Sequence, residues 1–251
     1  MSVRHPSRFP MAVTLAAALL ALAACATAPS AGPATTSTPD PSTASAAATA
    51  DGSTSGQALL VAARANDADQ VRQLLDAGVS PDFRDADGRP VLVTATRANA
   101  LEAARELILR GADVNARDGI SDSAFLHAGA EGFLGILELT LQHGADVTST
   151  NRYGGTALIP ACEHAHLETV RRLIDAGTDV DHVNGLGWTC LLEAVILGDG
   201  GTAHQKVVRL LIAAGADTSI ADSGGTTALE HALRLRQSAV AGLLEDAQPP
   251  R

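Results

Sequence analysis

Gly78, Gly111, Gly144, Gly177 and Gly215 stand 33, 33, 33 and 38 residues apart in a chain of 251. Each sits in a similar phrase: "AGVSPDFRD" (77–85), "RGADVNARD" (110–118), "HGADVTSTN" (143–151), "AGTDVDHVN" (176–184) and "AGADTSIAD" (214–222). A second column, Pro90, Ser123, Thr156, Thr189 and Thr227, keeps the same phase. A fixed period of this length marks one supersecondary unit copied along the chain. No copy can bury both its faces alone, so neighbours must stack.

Each unit has a local logic. After the Ser/Thr column comes a short apolar segment such as "TALIPACE", whose hydroxyl residue can cap the free N–H groups of a helix. A turn follows, then a second helix with apolar residues at helical spacing, as in "LETVRRLID". Glycine ends that helix in a left-handed cap. The Asn, Asp and Gly of the following phrase suit a hairpin loop. Composition agrees with thin, closely stacked layers. Hydrophobic residues make up 46% of the chain but aromatics only 2%, so Ala, Leu, Val and Ile must build the core.

The segments "GGTALIPACEHAHLETVRRLIDAG" and "GADVNARD" resemble the ankyrin repeat, whose signature runs G-x-T-P-L-H-x-A-A, G-H-x-E-V-V, L-L-x-x-G-A-D. The resemblance implies an all-α solenoid of about six helix-turn-helix units with hairpin loops over residues 56–247. The units are 56–86, 87–119, 120–152, 153–185, 186–223 and 224–247, with 248–251 as a tail. The set "NRYGGTALIPACEH" and "HVNGLGWTCLLEAVILGDGG" points to a bacterial subgroup. There are departures from the signature. Ala157, Cys190 and Ala228 replace its Pro, and Asn66 and Asn99 stand where Gly is usual, in a position Asn tolerates. The third unit, "SDSAFLHAGAEGFLGILELTLQHG", is rich in Gly and matches least well, so it is expected to be the least stable layer.

The N-terminus reads as a targeting segment. Arg4 and Arg8 precede "MAVTLAAALLALAA" (11–24), an apolar run of fourteen residues. That is shorter than the roughly 20 residues of a spanning helix and suits the core of a signal peptide. It ends in "LAAC", Leu22 to Cys25, which resembles the lipobox of bacterial lipoproteins. The resemblance implies a signal peptide at 1–24, lipidation of Cys25 and a bacterial-envelope location. With Ala26 after the Cys, that is the periplasmic face of the outer membrane in a double-membraned cell, and otherwise the outer face of the cell membrane. Losing Arg4 and Arg8 takes the formal charge from −10 to −12. Residues 25–55 hold the lipidated Cys and an Ala/Ser/Thr/Pro tether. The tether is expected to be disordered, with an end-to-end distance of roughly 30 Å.

One stretch, "GWTCLLEAVILGDGGTAHQKVV" (187–208), looks like a reaction centre because it gathers Cys190, Glu193, Asp199 and His204. The repeat absorbs most of it. Thr189 is a cap, Cys190 a small buried substitute for Pro, and His204, like His166, falls on the structural His of G-H-x-E. "GDGG" follows no strand and lacks the Lys-Ser/Thr of a phosphate loop. There is no Gly-x-Ser-x-Gly elbow and no Cys-x-x-Cys, and the repeats leave no residues for a separate catalytic domain. No catalysis, cofactor or metal is therefore expected. The acidic balance excludes a general nucleic-acid binder. Cys162 and Cys190 read as small buried hydrophobes. A five-residue register offset between neighbouring layers argues against joining them.

Two features survive. The fifth unit has seven residues between Val195 and Ala203 where others have two, so five extra residues must bulge between its helices. The sole Tyr and sole Trp, Tyr153 and Trp188, fall on successive hairpin fingers. Tyr, Trp and Arg dominate interface energetics. The expected partner-binding patch is Arg152, Tyr153, Glu163, His164, His182, Leu186 and Trp188. The expected function is a membrane-anchored, envelope-facing, monomeric interaction module for an unknown protein partner. An alternative is an accessory role in which Cys162, His164, His182 and Cys190 hold a metal or heme or serve a redox enzyme.

Overall fold

A computed structural model describes residues 54–248. Cys25, the signal segment and most of the tether lie outside the described residues. Twelve helices follow in order: α1 (54–64), α2 (Ala68–Asp76), α3 (Val91–Arg97), α4 (Leu101–Leu109), α5 (Ala124–Glu131), α6 (Leu134–Gln142), α7 (Leu158–Glu163), α8 (Leu167–Asp175), α9 (Cys190–Ile196), α10 (Thr202–Ala213), α11 (Ala228–Arg234) and α12 (Ser238–Asp246). They form two rows. α3, α5, α7, α9 and α11 pack successively in one, and α2, α4, α6, α8, α10 and α12 in the other. Among the described residues there are no strands. Two isolated bridges, Arg84 with Pro90 and Ala221 with Thr227, occur in hairpin fingers.

Local chemistry sets the helix ends. Ser123, Thr189 and Thr227 accept the backbone N–H of Leu126, Leu192 and Glu230, and Thr227 with Glu230 completes a capping box. Thr156 departs from this expectation. α7 starts one residue later, and the buried Thr156 hydroxyl has no hydrogen-bond partner. The column of glycines that ends the outer helices has φ from 85° at Gly177 to 92° at Gly78, as a left-handed cap requires. Asn66 and Asn99 are also left-handed. Asn66 does more, because its Oδ1 accepts the N–H of Ala103 in the next layer.

Every finger is built around one Asx residue. Asp85, Asp118, Asn151, Asn184 and Asp222 each donate their backbone N–H to the carbonyl four residues on. Each also accepts, through Oδ1, the N–H groups two and four residues on. Neighbouring fingers are tied by side chain to backbone bonds. Asp82 accepts from Asp113, Asn115 from Asp146, and Asp181 from Asp217, all at 2.8–2.9 Å.

The stacking contact corrects one expectation. Cys162 and Cys190 form a disulfide with their Cα atoms 5.6 Å apart, within the normal range. The offset of five does not separate them, because the end of one first helix lies against the start of the next. The layer below shows the same step of 28 residues: a Cβ built on Gly129 would lie 2.7 Å from the Cβ of Ala157. In the other layers these two positions hold Ala63 and Val91, Thr96 and Ala124, and Val195 and Ala228, none more than 1% exposed. The glycines of the third unit are therefore packing requirements. Gly129 admits Ala157, and Gly132 lies under the ring of His166.

The insertion is only partly a bulge. α10 has twelve residues where the other outer helices have nine, so part of the extra length adds a helical turn. The rest is bound down. Asp199 Oδ1 accepts the Gly201 N–H and lies 2.8 Å from His204 Nδ1, and Gln237 donates to the carbonyls of Val195 and Gly198.

The crosslink spans 28 residues of sequence and should contribute roughly 3 kcal/mol to stability. Denaturant unfolding with and without dithiothreitol measures this. The midpoint should fall on reduction in the natural protein and stay fixed in the Cys162→Ala/Cys190→Ala variant. Identical wild-type curves would refute the crosslink.

Candidate functional site: a groove between fingers and first helices

The fingers and the first helices of the third to fifth units enclose a cavity of about 440 Å³. Its floor is Leu126, Ile159 and Pro160, from α5 and α7. Its finger wall is Tyr153, Leu186 and Trp188. Tyr153 and Leu186 are exposed, while Trp188 is half-buried against the core.

The two ends differ in charge. At one end, arginines answer the carboxylates. Arg97 lies 3.0 Å from Asp118 and 3.8 Å from Asp122, and Arg152 lies 3.9 Å from Asp122. The Arg152 guanidinium also sits over the Tyr153 ring, 4.6 Å from its centre. Burial, then the neighbouring Asp118, raises the Asp122 carboxyl above its ordinary range. Burial, then Arg97, lowers His127.

The other end holds Glu163, Glu193 and Trp188, and among the described residues neither carboxylate has an ion pair. Glu193 is 6% exposed. Asn184 Nδ2 donates to its Oε1 at 2.9 Å. The same Asn184 accepts the N–H groups of Leu186 and Trp188 through Oδ1, so one amide fixes both the Trp188 finger and the Glu193 carboxyl. Burial and, secondarily, Glu163 push Glu193 up to about 7, against the opposing pull of the Asn184 bond.

Of the seven residues expected in the patch, Arg152, Tyr153, Glu163, Leu186 and Trp188 line the groove. His164 and His182 do not. His164 is exposed, with its ring 5.7 Å from that of His166. His182 Nε2 lies 2.7 Å from the Gly154 carbonyl oxygen and ties finger to finger. The alternative metal or heme set loses both sulfurs to the disulfide. Among the described residues no group of three or more His, Cys, Asp or Glu side chains is placed to hold a metal.

Sequence reasoning missed Glu193, Asn184 and the Arg97 cluster as members of this site. A signal existed. Asn184 and Glu193 occupy the register positions of Asp118 and His127, and of Asp222 and His231, nine residues apart each time. Comparing those pairs reveals the one unit in which the acid sits on the helix.

The ankyrin repeat family model, three copies long, matches residues 41–118 and 125–222. The chain belongs to the ankyrin repeat family. A solved ankyrin repeat domain from Acinetobacter baumannii AYE is 52% identical, covering 75% of this chain and 96% of that one, with a TM-score of 0.73. A second solved ankyrin repeat protein is 41% identical over 75% of this chain and 96% of its own, with a TM-score of 0.72. No curated protein matches. Ankyrin repeats are typically a non-catalytic scaffold for binding other proteins, and the groove lies on the face formed by the fingers and first helices.

Glu193 makes a measurable prediction. Its carboxyl holds a proton up to about pH 7 when folded, against an ordinary value of 4.5. A raised carboxyl favours the folded state below the unfolded value. That advantage is lost as pH climbs from about 4.5 to 7, by on the order of 3 kcal/mol at most. Glu193→Gln keeps an acceptor for Asn184 and does not ionise. Its stability relative to wild type should rise across that window and level off above it. Parallel stability–pH curves for the two proteins would contradict the assignment.

Proposed function

We propose that this ankyrin repeat protein is a membrane-anchored, envelope-facing interaction module. It has no catalysis of its own and captures a protein partner in the groove between its fingers and first helices. The observation that carries this reading is the convergence of Tyr153, Leu186, Trp188, Arg152 and Glu163 on one cavity. Aromatic and arginine side chains around an apolar floor are the usual makings of an interface hot spot. The acidic balance of the chain, −10, sets it against nucleic acid and in favour of a cationic protein surface.

Two observations support the location. The apolar run ending in Leu22-Ala23-Ala24-Cys25 has the pattern of a lipoprotein signal, which makes Cys25 the lipid-bearing residue. The disulfide between Cys162 and Cys190 is of a kind that persists in oxidising compartments such as the periplasm and the cell surface. Two or three acyl chains hold a protein firmly to a bilayer, and the tether then lets the repeats work away from it. The module acts as a monomer.

Affinity capture from envelope extract, followed by mass spectrometry, identifies the partner. Tyr153→Ala with Trp188→Ala should then weaken its binding about 30-fold or more. Tyr153→Ala alone, a change at an exposed side chain, should weaken it about tenfold without shifting the melting temperature. Undiminished capture would remove the groove from the account.

The anchor has a separate test. Metabolic labelling with a radioactive fatty acid should mark the natural protein and leave Cys25→Ala unlabelled. Label retained by Cys25→Ala would overturn the lipoprotein reading.

A further inference from the structure

We infer that the Trp188 end of the groove binds an arginine side chain of the partner, with the guanidinium lying on the Trp188 ring and meeting the carboxylates of Glu163 and Glu193. This rests on the groove being the docking surface and goes further, naming the chemistry of the group that enters it.

The argument begins with the uneven pairing of charge. At the Asp118 end, Asp118 and Asp122 are answered by Arg97 and Arg152. At the Trp188 end, Glu163 and Glu193 have no cation among the described residues. Glu193 is almost wholly buried, and one of its oxygens takes no hydrogen bond. A buried carboxylate without a cation is costly and is ordinarily paired.

The repeat supplies an internal comparison. One repeat further on, the register positions of Asn184 and Glu193 hold Asp222 and His231. There the finger carboxylate lies 2.7 Å from the helix imidazole, and the pair is complete within the chain. At Asn184 and Glu193 the acid has moved to the helix and a neutral amide stands on the finger. The amide spends Oδ1 on two backbone N–H groups and Nδ2 on Glu193. It therefore orients the carboxylate but cannot neutralise it. In the free protein a proton neutralises this acid, and a cation arriving from outside the fold would displace it.

Arginine fits this end better than lysine. Its planar guanidinium stacks on an aromatic face and offers donors to two carboxylates at once, and it gives up its hydration more readily than an ammonium. The groove already contains this chemistry one finger away, where Arg152 lies over Tyr153. Arg152 is drawn toward Asp122, so it belongs to the opposite end. Leu186 and Leu197, both about half-exposed, flank the Trp188 end and offer contact to apolar residues on either side of the arginine.

Trp188 is the single tryptophan of the chain, so its fluorescence reports on this site directly. The probes are a capped nonapeptide with a central arginine flanked by leucines, and the same peptide with citrulline, a neutral isostere, in place of arginine. The full-length protein should bind the arginine peptide at least about tenfold more tightly than the citrulline peptide. In Glu193→Gln, which keeps the Asn184 bond, the preference should shrink to within about threefold. Equal affinity for the two peptides in the natural protein, an undiminished preference in Glu193→Gln, or no binding of either peptide would each overturn the arginine assignment. Capture of the envelope partner that still depends on Tyr153 and Trp188 would then leave the docking groove standing alone.

Discussion

The structure depends on the close contact between the end of each first helix and the start of the next. At that contact two side chains share space enough for very little. The pairs are Gly with Ala, Thr with Ala, Ala with Val, Val with Ala, and Cys with Cys. A chain with almost no aromatic residues can satisfy this repeatedly, because the core is a series of thin aliphatic layers. The same demand explains why the third unit looks degenerate as a motif. Its glycines answer neighbours in the fourth unit, Ala157 and His166, which no inspection of the third unit alone would reveal.

On this scaffold the fingers are nearly invariant in backbone. One Asx residue per finger closes the turn with the same three bonds, so the side chains beyond it are presented at fixed places. The groove's character then comes from substitution at constant geometry. Exchanging Asp222 and His231 for the Asn184 and Glu193 of the preceding repeat leaves the turn unchanged and reverses where the acid stands. Binding chemistry can thus change without disturbing the bonds that hold the layers together, which suits a fold whose function resides in grafted surface residues.

Features set by local backbone chemistry were legible in the sequence. The glycine caps, the Ser and Thr caps of three helices and the left-handed Asn66 and Asn99 all depend on a few neighbouring residues. Features set by the stagger between layers were not. Register spacing made Cys162 and Cys190 look too far apart, yet the lean of one helix across the next brings them together. The same blindness hid the bond between His182, expected in the binding patch, and the Gly154 carbonyl. It also hid Glu193, whose importance lies in its pairing with a finger residue nine positions earlier. Tyr153 and Trp188 were found because rare, large side chains on neighbouring fingers need no knowledge of stagger to stand out.

The disulfide lies where the groove needs rigidity. Cys162 adjoins Glu163 at the end of α7, and Cys190 lies between Trp188 and Glu193 at the start of α9. A crosslink there fixes the spacing of the two carboxylates and of the indole across a layer boundary. Burial and, secondarily, the neighbouring Glu163 make an ionised Glu193 unfavourable at that boundary. A stack of repeats is stabilised mainly by nearest-neighbour interfaces, so a boundary that buries one acid beside another is weakened when they ionise. A covalent bond across that boundary opposes its opening. On the proposed mode of binding, the acidic end is then held in place before a partner arrives, and less ordering remains to be done on association.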